Sequence, residues 1–382
     1  MSPRIPLVDL AAAHAEVAHA VQAGFAEVLA TTGFVGGPQV AAFEREYAAF
    51  AGVGHCVGVA NGTDAVELSL RAVGVVAGDE VIVPANTFAA TAGAVARIGA
   101  KPVFVDCDPA SCLIDVRAAL AAIRPATKAI VPVHLYGQLA PVEELQAGLA
   151  GSGSGSGSDI RTRIRIVEDA AQCQGATRLG RTPGSGPGAI AATSFYPGKN
   201  LGAYGDGGAV LTDDEELAAT VRKLGSHGGL VKYAHDIAGV NSRLDALQAV
   251  VLRAKLRRLP EWNAARQAAA AYYDKLLADL DDVTLPTVLP GNEHVWHLYT
   301  VQVPDRDAVL AALEAEGIGA GIHYPVPLHR TGAFATDASY PHAEHVAAHT
   351  LSLPLHPHLM REQQETVVAA LARALSAHRS RL

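Results

Sequence analysis

The sequence predicts an α/β fold, with a large domain on a mostly parallel, mixed sheet followed by a small α/β domain at the C-terminus. Three observations support this. Short β-rich runs alternate with Ala/Leu-rich helical stretches from Phe50 to about Val167. The strand-like runs are nearly continuous in apolar residues, as strands covered on both faces are. At 382 residues the chain has the length of about two domains, at roughly 100 to 200 residues each.

The first strands are expected at Cys56–Val59, Glu80–Val83, Pro102–Val105 and Ala129–Val133, each followed by a helix of the βαβ kind. Ile164–Val167, Ala189–Thr193 and Gly208–Leu211 continue the series without long helices between them, so parallel order is expected to break there. Helices are expected at Asp213–Leu224 and from Arg243 onward. A Pro/Gly-punctuated stretch, Leu285–Asn292, then leads to a strand at His297–Val303, and a last amphipathic helix falls near Glu362–Leu375. The domain boundary is placed near Leu256, giving a large domain over 1–255 and a small one over 256–382. Gly151–Ser158 reads GSGSGSGS, a flexible surface spacer with a span of about 15 Å.

Composition narrows the function. Apolar residues make up 49% and charged residues 18%, too apolar for disorder. Thirty Lys and Arg against 38 Asp and Glu give a net charge of -8, which disfavours nucleic-acid binding. The four cysteines lack CxxC spacing and are too few to staple such a chain, so reduced thiols and a cytoplasmic setting are expected. The first twenty residues lack an unbroken apolar core, and no run reaches the roughly 18 apolar residues of a membrane span. Sixteen histidines raise the question of metal. His345 and His349 have helical spacing but no Glu follows the first and no Cys lies near, so no metal is expected.

Four segments carry chemistry. Ile166–Gln172 delivers Glu168 and Asp169 at the C-terminal end of a strand, where open α/β sheets bind ligands; alone, Asp169 could equally be a helix cap. Thirty residues on, a Gly-rich loop over 194–208 holds a single Lys, Lys199, whose apolar neighbours can desolvate it into a nucleophile or base. Its GDGG precedes a strand rather than opening a helix, so it is not a dinucleotide fingerprint. Asn61-Gly62-Thr63 lies between a strand and a helix, where free N–H groups make a phosphate cradle or, more plainly, a cap. Phe88 follows another strand and is either core or a ring-stacking platform. An amine, a strand-end carboxylate, an anion site and an aromatic face together are what pyridoxal phosphate needs.

The segments VEDAAQ (167–172), SFYPGKNLGAYGDGGAV (194–210), NGTDAV (61–66), NSRLDALQAVVL (241–252) and HYPVPLH (323–329) resemble the DegT/DnrJ/EryC1/StrS sugar aminotransferases, from about Pro6 to the C-terminus. The resemblance implies a fold type I, aspartate-aminotransferase-like architecture with pyridoxal phosphate as cofactor. It makes Lys199 the lysine that forms an imine with the cofactor and Asp169 the partner of the pyridine nitrogen. Gln172 would contact the ring hydroxyl, Phe88 would cover the ring, and Gly62, Thr63 and Ser194 would hold the phosphate. Asn241 would reach the phosphate of a second subunit in a homodimer with shared sites, Arg243 would take the amino donor's carboxylate, and His323, Tyr324 and His329 would face substrate. YPGKNLG, HLYGQ and HYPVPLH are most similar to enzymes that aminate C3 of nucleotide-linked 3-keto-deoxyhexoses, with dTDP as carrier and L-glutamate as donor, in antibiotic sugar pathways. Alternatives are a 4-keto-sugar aminotransferase, an aminoshikimate-type aromatising enzyme, or an inert regulatory member. Lys199 speaks against the related dehydratases, which have His there.

Overall fold

A computed structural model describes residues 5–150 and 160–379; the spacer expected at Gly151–Ser158 lies outside the described residues. Two N-terminal helices, α1 (Leu10–Thr31) and α2 (Gly37–Ala51), lead into β1 (His55–Val59), α3 (Gly62–Ala72), β2 (Glu80–Pro84), α4 (Ala89–Arg97), β3 (Lys101–Val105), α5 (Val116–Ala121), β4 (Thr127–Ile130) and α6 (Val142–Ala150). After the undescribed segment come β5 (Arg165–Asp169), the short β6 (Thr177–Arg178), β7 (Ile190–Ser194), β8 (Gly208–Thr212), α7 (Glu215–Gly225) and α8 (Ala246–Leu256). The C-terminal part holds α9 (Leu259–Leu277), the two-residue β9 (Asn292–Glu293), β10 (Tyr299–Gln302), α10 (Arg306–Ala315), α11 (Pro341–His349), β11 (Thr350–Leu353) and α12 (Arg361–Arg379).

Seven strands form one sheet in the order β1-β8-β7-β5-β4-β2-β3. Only β8 runs against the rest, pairing antiparallel with both β1 and β7. The break in parallel order expected after β5 therefore falls at β8, while β7 still pairs parallel with β5. Alternate side chains of one strand enter different cores, as the two-residue strand period requires. On β2, Val81 and Val83 join the core beneath α3 and α4, and Ile82 joins the one beneath α5 and α6. On β8, Val210 faces the first core, and Ala209 and Leu211 pack with Phe43 and Tyr47 of α2. Helices cover both faces, so the carboxyl edge of the parallel strands is where loops are free to build a site.

A separate apolar core gathers Tyr273 and Leu277 of α9, Tyr299 and Val301 of β10, Leu313, Leu351, Leu353 and Leu371. Its two strands pair antiparallel. Ile5, from the far end of the sequence, belongs to the same core and hydrogen-bonds on both sides, its N–H to Gly317 O at 3.1 Å and its carbonyl from Gly319 N–H at 2.7 Å. Among the described residues no helix is long and apolar enough to cross a membrane, and all four cysteines are buried free thiols. His345 and His349 sit one turn apart on α11 with ring centroids 4.1 Å apart.

Candidate active site

The strand β5 carries its last residue, Asp169, to the sheet edge and fixes it there through the backbone. The Asp169 N–H bonds Pro132 O at 2.9 Å, and its carbonyl accepts from His134 N–H at 2.9 Å. Its carboxylate accepts from the Thr91 hydroxyl on Oδ2 at 2.8 Å and from Ala171 N–H on Oδ1 at 3.2 Å. Burial pushes this carboxyl above its usual value, and the Thr91 hydroxyl, the Ala171 N–H and the charge of Lys199 oppose that push. Glu168, one residue earlier, must point to the opposite face of the strand. There it takes Arg181 at 2.6 and 3.1 Å, the His134 ring at 3.0 Å and Gly184 N–H at 3.0 Å. Burial raises the Glu168 carboxyl as well, but His134 and Arg181 outweigh it and hold the group below its ordinary value. The acid pair of the sequence thus divides into one site carboxylate and one structural anion.

Lys199 lies in the loop between β7 and β8, which folds back on itself through Lys199 N–H to Tyr196 O, Ala203 N–H to Phe195 O and Phe195 N–H to Gly207 O, each 2.8 Å. Glycine is required at 202, where a Cβ would stand 2.3 Å from Pro197 O. Asn200 anchors the loop from beneath, its amide donating to Asn263 Oδ1 and Val295 O at 2.9 Å. Burial brings the Lys199 amine down to about 8, against the opposing pull of Asp169. The carboxylate and the amine act on each other electrostatically, burial raising the one and lowering the other.

The third wall is the N-terminus of α3. Asn61 caps it, its side chain accepting from Asp64 N–H at 2.8 Å. The N–H groups of Gly62 and Thr63 open the helix, where no intrahelical carbonyl can reach them. Gly62 touches the end of β7: a Cβ there would lie 2.5 Å from Ser194 Cβ and 2.9 Å from Ser194 Oγ. That contact sets Gly62, at the opening of α3, against Ser194 with no room for a side chain, an arrangement of the kind that cradles an anion. Gly62→Ala is accordingly expected to weaken cofactor binding about tenfold by pushing the cradle open, with turnover retained at saturating cofactor. Titrating the cofactor-free protein with pyridoxal phosphate checks this, and unchanged affinity would count against the cradle.

Phe88 caps α4 with its ring 55% exposed, 5.5 Å from the ring of Tyr324. The Tyr324 hydroxyl accepts from Gln172 Nε2 at 2.9 Å, and Gln172 Oε1 accepts from Tyr136 N–H at 2.8 Å. The His323 ring meets Ser352 Oγ at 2.8 Å, and burial together with the Lys199 charge pushes it down to about 4, so it is a neutral imidazole. Asp169, Lys199, Gln172, His323, Tyr324 and Phe88 therefore gather with Gly62 and Ser194 at one sheet edge.

Three expected residues stand elsewhere. Asn241 and Arg243 are exposed and line a recess of about 370 Å³ with Val35, Ala60, Asp206 and Asp245. The Ala60 N–H to Ser242 Oγ bond of 3.1 Å keeps that segment beside the turn before α3. His329 corrects the sequence reading outright. It is fully buried, bonds Glu344 Oε1 at 2.9 Å and packs against Tyr340, so its role is to pin its own loop rather than to face substrate. Thr91 and Tyr136 were not anticipated as site residues, because what they touch lies 78 and 187 positions away.

The chemistry of this set fits pyridoxal phosphate: N–H donors and a hydroxyl for the phosphate, a buried carboxylate for a protonated ring nitrogen, and an amine of lowered basicity for the aldehyde. The sequence pattern of the DegT/DnrJ/EryC1/StrS aminotransferase family matches residues 16–372. The chain belongs to this family. This aminotransferase is 45% identical to the dTDP-3-amino-3,4,6-trideoxy-alpha-D-glucose transaminase of Streptomyces venezuelae, over 97% of its own length and 96% of that protein's. It is equally 45% identical to a UDP-N-acetyl-3-dehydro-alpha-D-glucosamine 3-aminotransferase of Acidithiobacillus ferrooxidans, over 97% and 98% of the two chains. Its fold superposes on the crystal structure of S. venezuelae DesV in complex with a ketimine intermediate with a TM-score of 0.92, at 44% identity, covering 97% of this chain and 98% of that one. The enzyme is a sugar aminotransferase that depends on pyridoxal phosphate, with the α/β architecture of such aminotransferases.

Proposed function

We propose that the enzyme moves the amino group of L-glutamate to C3 of a dTDP-linked 3-keto-6-deoxyhexose, as a cytoplasmic homodimer in the making of an antibiotic amino sugar. The observation that carries the chemistry is the convergence of the buried Asp169 and the half-buried Lys199 at one edge of the sheet, each acting on the other's charge. Position C3 is supported by relatives that differ in carrier nucleotide yet are both named for an amino group at that carbon. Reduced buried thiols support the cytoplasm. The exposed Asn241 beside the turn before α3 supports a second subunit whose phosphate site it would complete.

When bound, pyridoxal phosphate supplies an electron-accepting ring that stabilises the charge left at the donor's α-carbon. Gly62, Thr63 and Ser194 of this chain would hold its phosphate, and Asp169 would keep a proton on its ring nitrogen. Thr91 orients that carboxylate, and Gln172, fixed by Tyr136, would contact the ring hydroxyl. Lys199 Nζ, with an affinity for protons near neutrality, takes the proton from the α-carbon of the amino donor and later gives one to the sugar carbon that gains nitrogen. Arg243 is the residue of this chain proposed for the donor's carboxylate.

Incubation with L-glutamate and dTDP- or UDP-linked 3-keto and 4-keto sugars, with products read by mass and NMR, tests the reading. The dTDP-3-keto-6-deoxyhexose is expected to turn over at least tenfold better than the others. A preference for a 4-keto or a UDP-linked sugar would overturn the regiochemistry or the carrier.

A further inference from the structure

The HLYGQ segment (134–138) holds none of the residues assigned to cofactor or substrate, yet one of its side chains touches two walls of the site. Tyr136 has φ +60°, a left-handed backbone unusual for a non-glycine residue. Gly137 follows at φ +120°, and a Cβ on it would lie 2.7 Å from His297 N and 2.8 Å from Trp296 N. The segment is thereby wedged against residues 294–298, which it also bonds through Val295 N–H to Gly137 O at 2.9 Å and Leu298 N–H to Tyr136 O at 3.1 Å. From this fixed point the Tyr136 N–H holds Gln172 Oε1 at 2.8 Å, and Gln172 passes the contact on to the Tyr324 hydroxyl at 2.9 Å. The Tyr136 phenol, buried beneath the loop, donates to the His323 carbonyl. His323 is tied from its other side to Ser352 of β11.

We infer that Tyr136 is a positioning residue that sets where His323 and Tyr324 stand over Lys199, and so how the keto-sugar fits. The inference rests on reading the second substrate as a nucleotide-linked keto-sugar. Tyr324 meets the exposed ring of Phe88, which makes them the rim of the site, whereas the buried Asp169 lies at its floor. A small amino acid needs the floor, and a nucleotide sugar must also pass the rim. Displacing the rim should therefore weaken sugar binding selectively, which a loss of general structural integrity would not do.

The holoenzyme Tyr136→Phe keeps the ring and the bond from its N–H to Gln172 and loses the phenol's bonds to the His323 carbonyl and to Asn86. The KM for the keto-sugar is expected to rise about tenfold with kcat little changed. The rate at which glutamate alone converts the bound cofactor, followed by absorbance, should stay within twofold, and the melting temperature within a few degrees. A sugar KM within twofold of the parent, or a glutamate reaction that falls by the same factor as the sugar reaction, overturns the assignment. Should this variant fail to fold, Ser352→Ala frees the same His323 from the other side and must give the same selective rise; an unchanged KM there is equally fatal. All ratios refer to whichever nucleotide keto-sugar the parent enzyme turns over fastest. A wrong sugar or carrier then appears in the parent's own panel, and a wrong role for Tyr136 appears in the ratio.

Discussion

Lys199→Ala is expected to lower turnover of glutamate and keto-sugar by at least roughly 10²–10⁴-fold, the range that a positioned proton-transfer group supplies. On the proposed mechanism the residue removes and returns the proton at carbon, and no other amine stands in the set around Asp169 that has been described. A second consequence concerns stability of the cofactor-free chain. Burial lowers the amine from 10.5 to about 8, so between those values the unfolded chain binds more protons than the folded one. Stability from this group therefore rises with pH across that window, and at pH 7 its burial costs on the order of 3 kcal/mol. The cofactor-free Lys199→Ala protein should melt above the parent at pH 7, and the gap should close as pH approaches 10.5. Paired calorimetry across pH is the check, and a gap independent of pH would contradict the buried amine.

Asp169→Asn is expected to cut turnover by roughly 10²-fold or more while leaving the fold intact. Asparagine keeps the shape, its one carbonyl oxygen can accept from Ala171 N–H and its amide can donate to the Thr91 hydroxyl, yet it carries no negative charge to retain a proton on the ring nitrogen. Because burial raises the Asp169 carboxyl, the folded chain holds that proton more tightly than the unfolded one. Its contribution to stability is present in full at low pH and is lost as pH rises through the folded value, so at pH 7 the bare carboxylate is a liability in the cofactor-free protein. The variant should therefore unfold no more easily than the parent at pH 7 while failing catalytically. Loss of activity together with loss of folding would mean that Asp169 is chiefly structural.

What could be read from sequence divides along physical lines. Asp169, Lys199 and Gly62 were legible because local chain geometry places them: the end of a strand, a glycine-rich loop, the opening of a helix. The strand positions fell within a few residues, since runs buried on both faces are unambiguous in composition. Thr91 and Tyr136 were not legible: Thr91 meets Asp169 because the sheet order β5-β4-β2 brings their elements alongside, and Tyr136 meets His323 because the C-terminal part of the chain packs over the sheet edge. Strand alternation could have separated Glu168 from Asp169 before any coordinates, since neighbours on a strand face opposite ways. His329 misled because its place in a substrate-like motif says nothing of depth. A turn of 3-10 helix, Leu328–Arg330, buries it against Glu344, a partner 15 positions further on.

The capture of Ile5 by Gly317 and Gly319 fastens the first described residues to the C-terminal core. That part of the sequence is stitched down elsewhere too, since Leu328, Ala343 and Val346 lie in the core beneath α3 and α4 and Leu328 N–H bonds Ala85 O at 3.0 Å. A body sewn across its boundary at several points cannot swing freely, so a cut beside Ile5 should undo one stitch and leave the others holding.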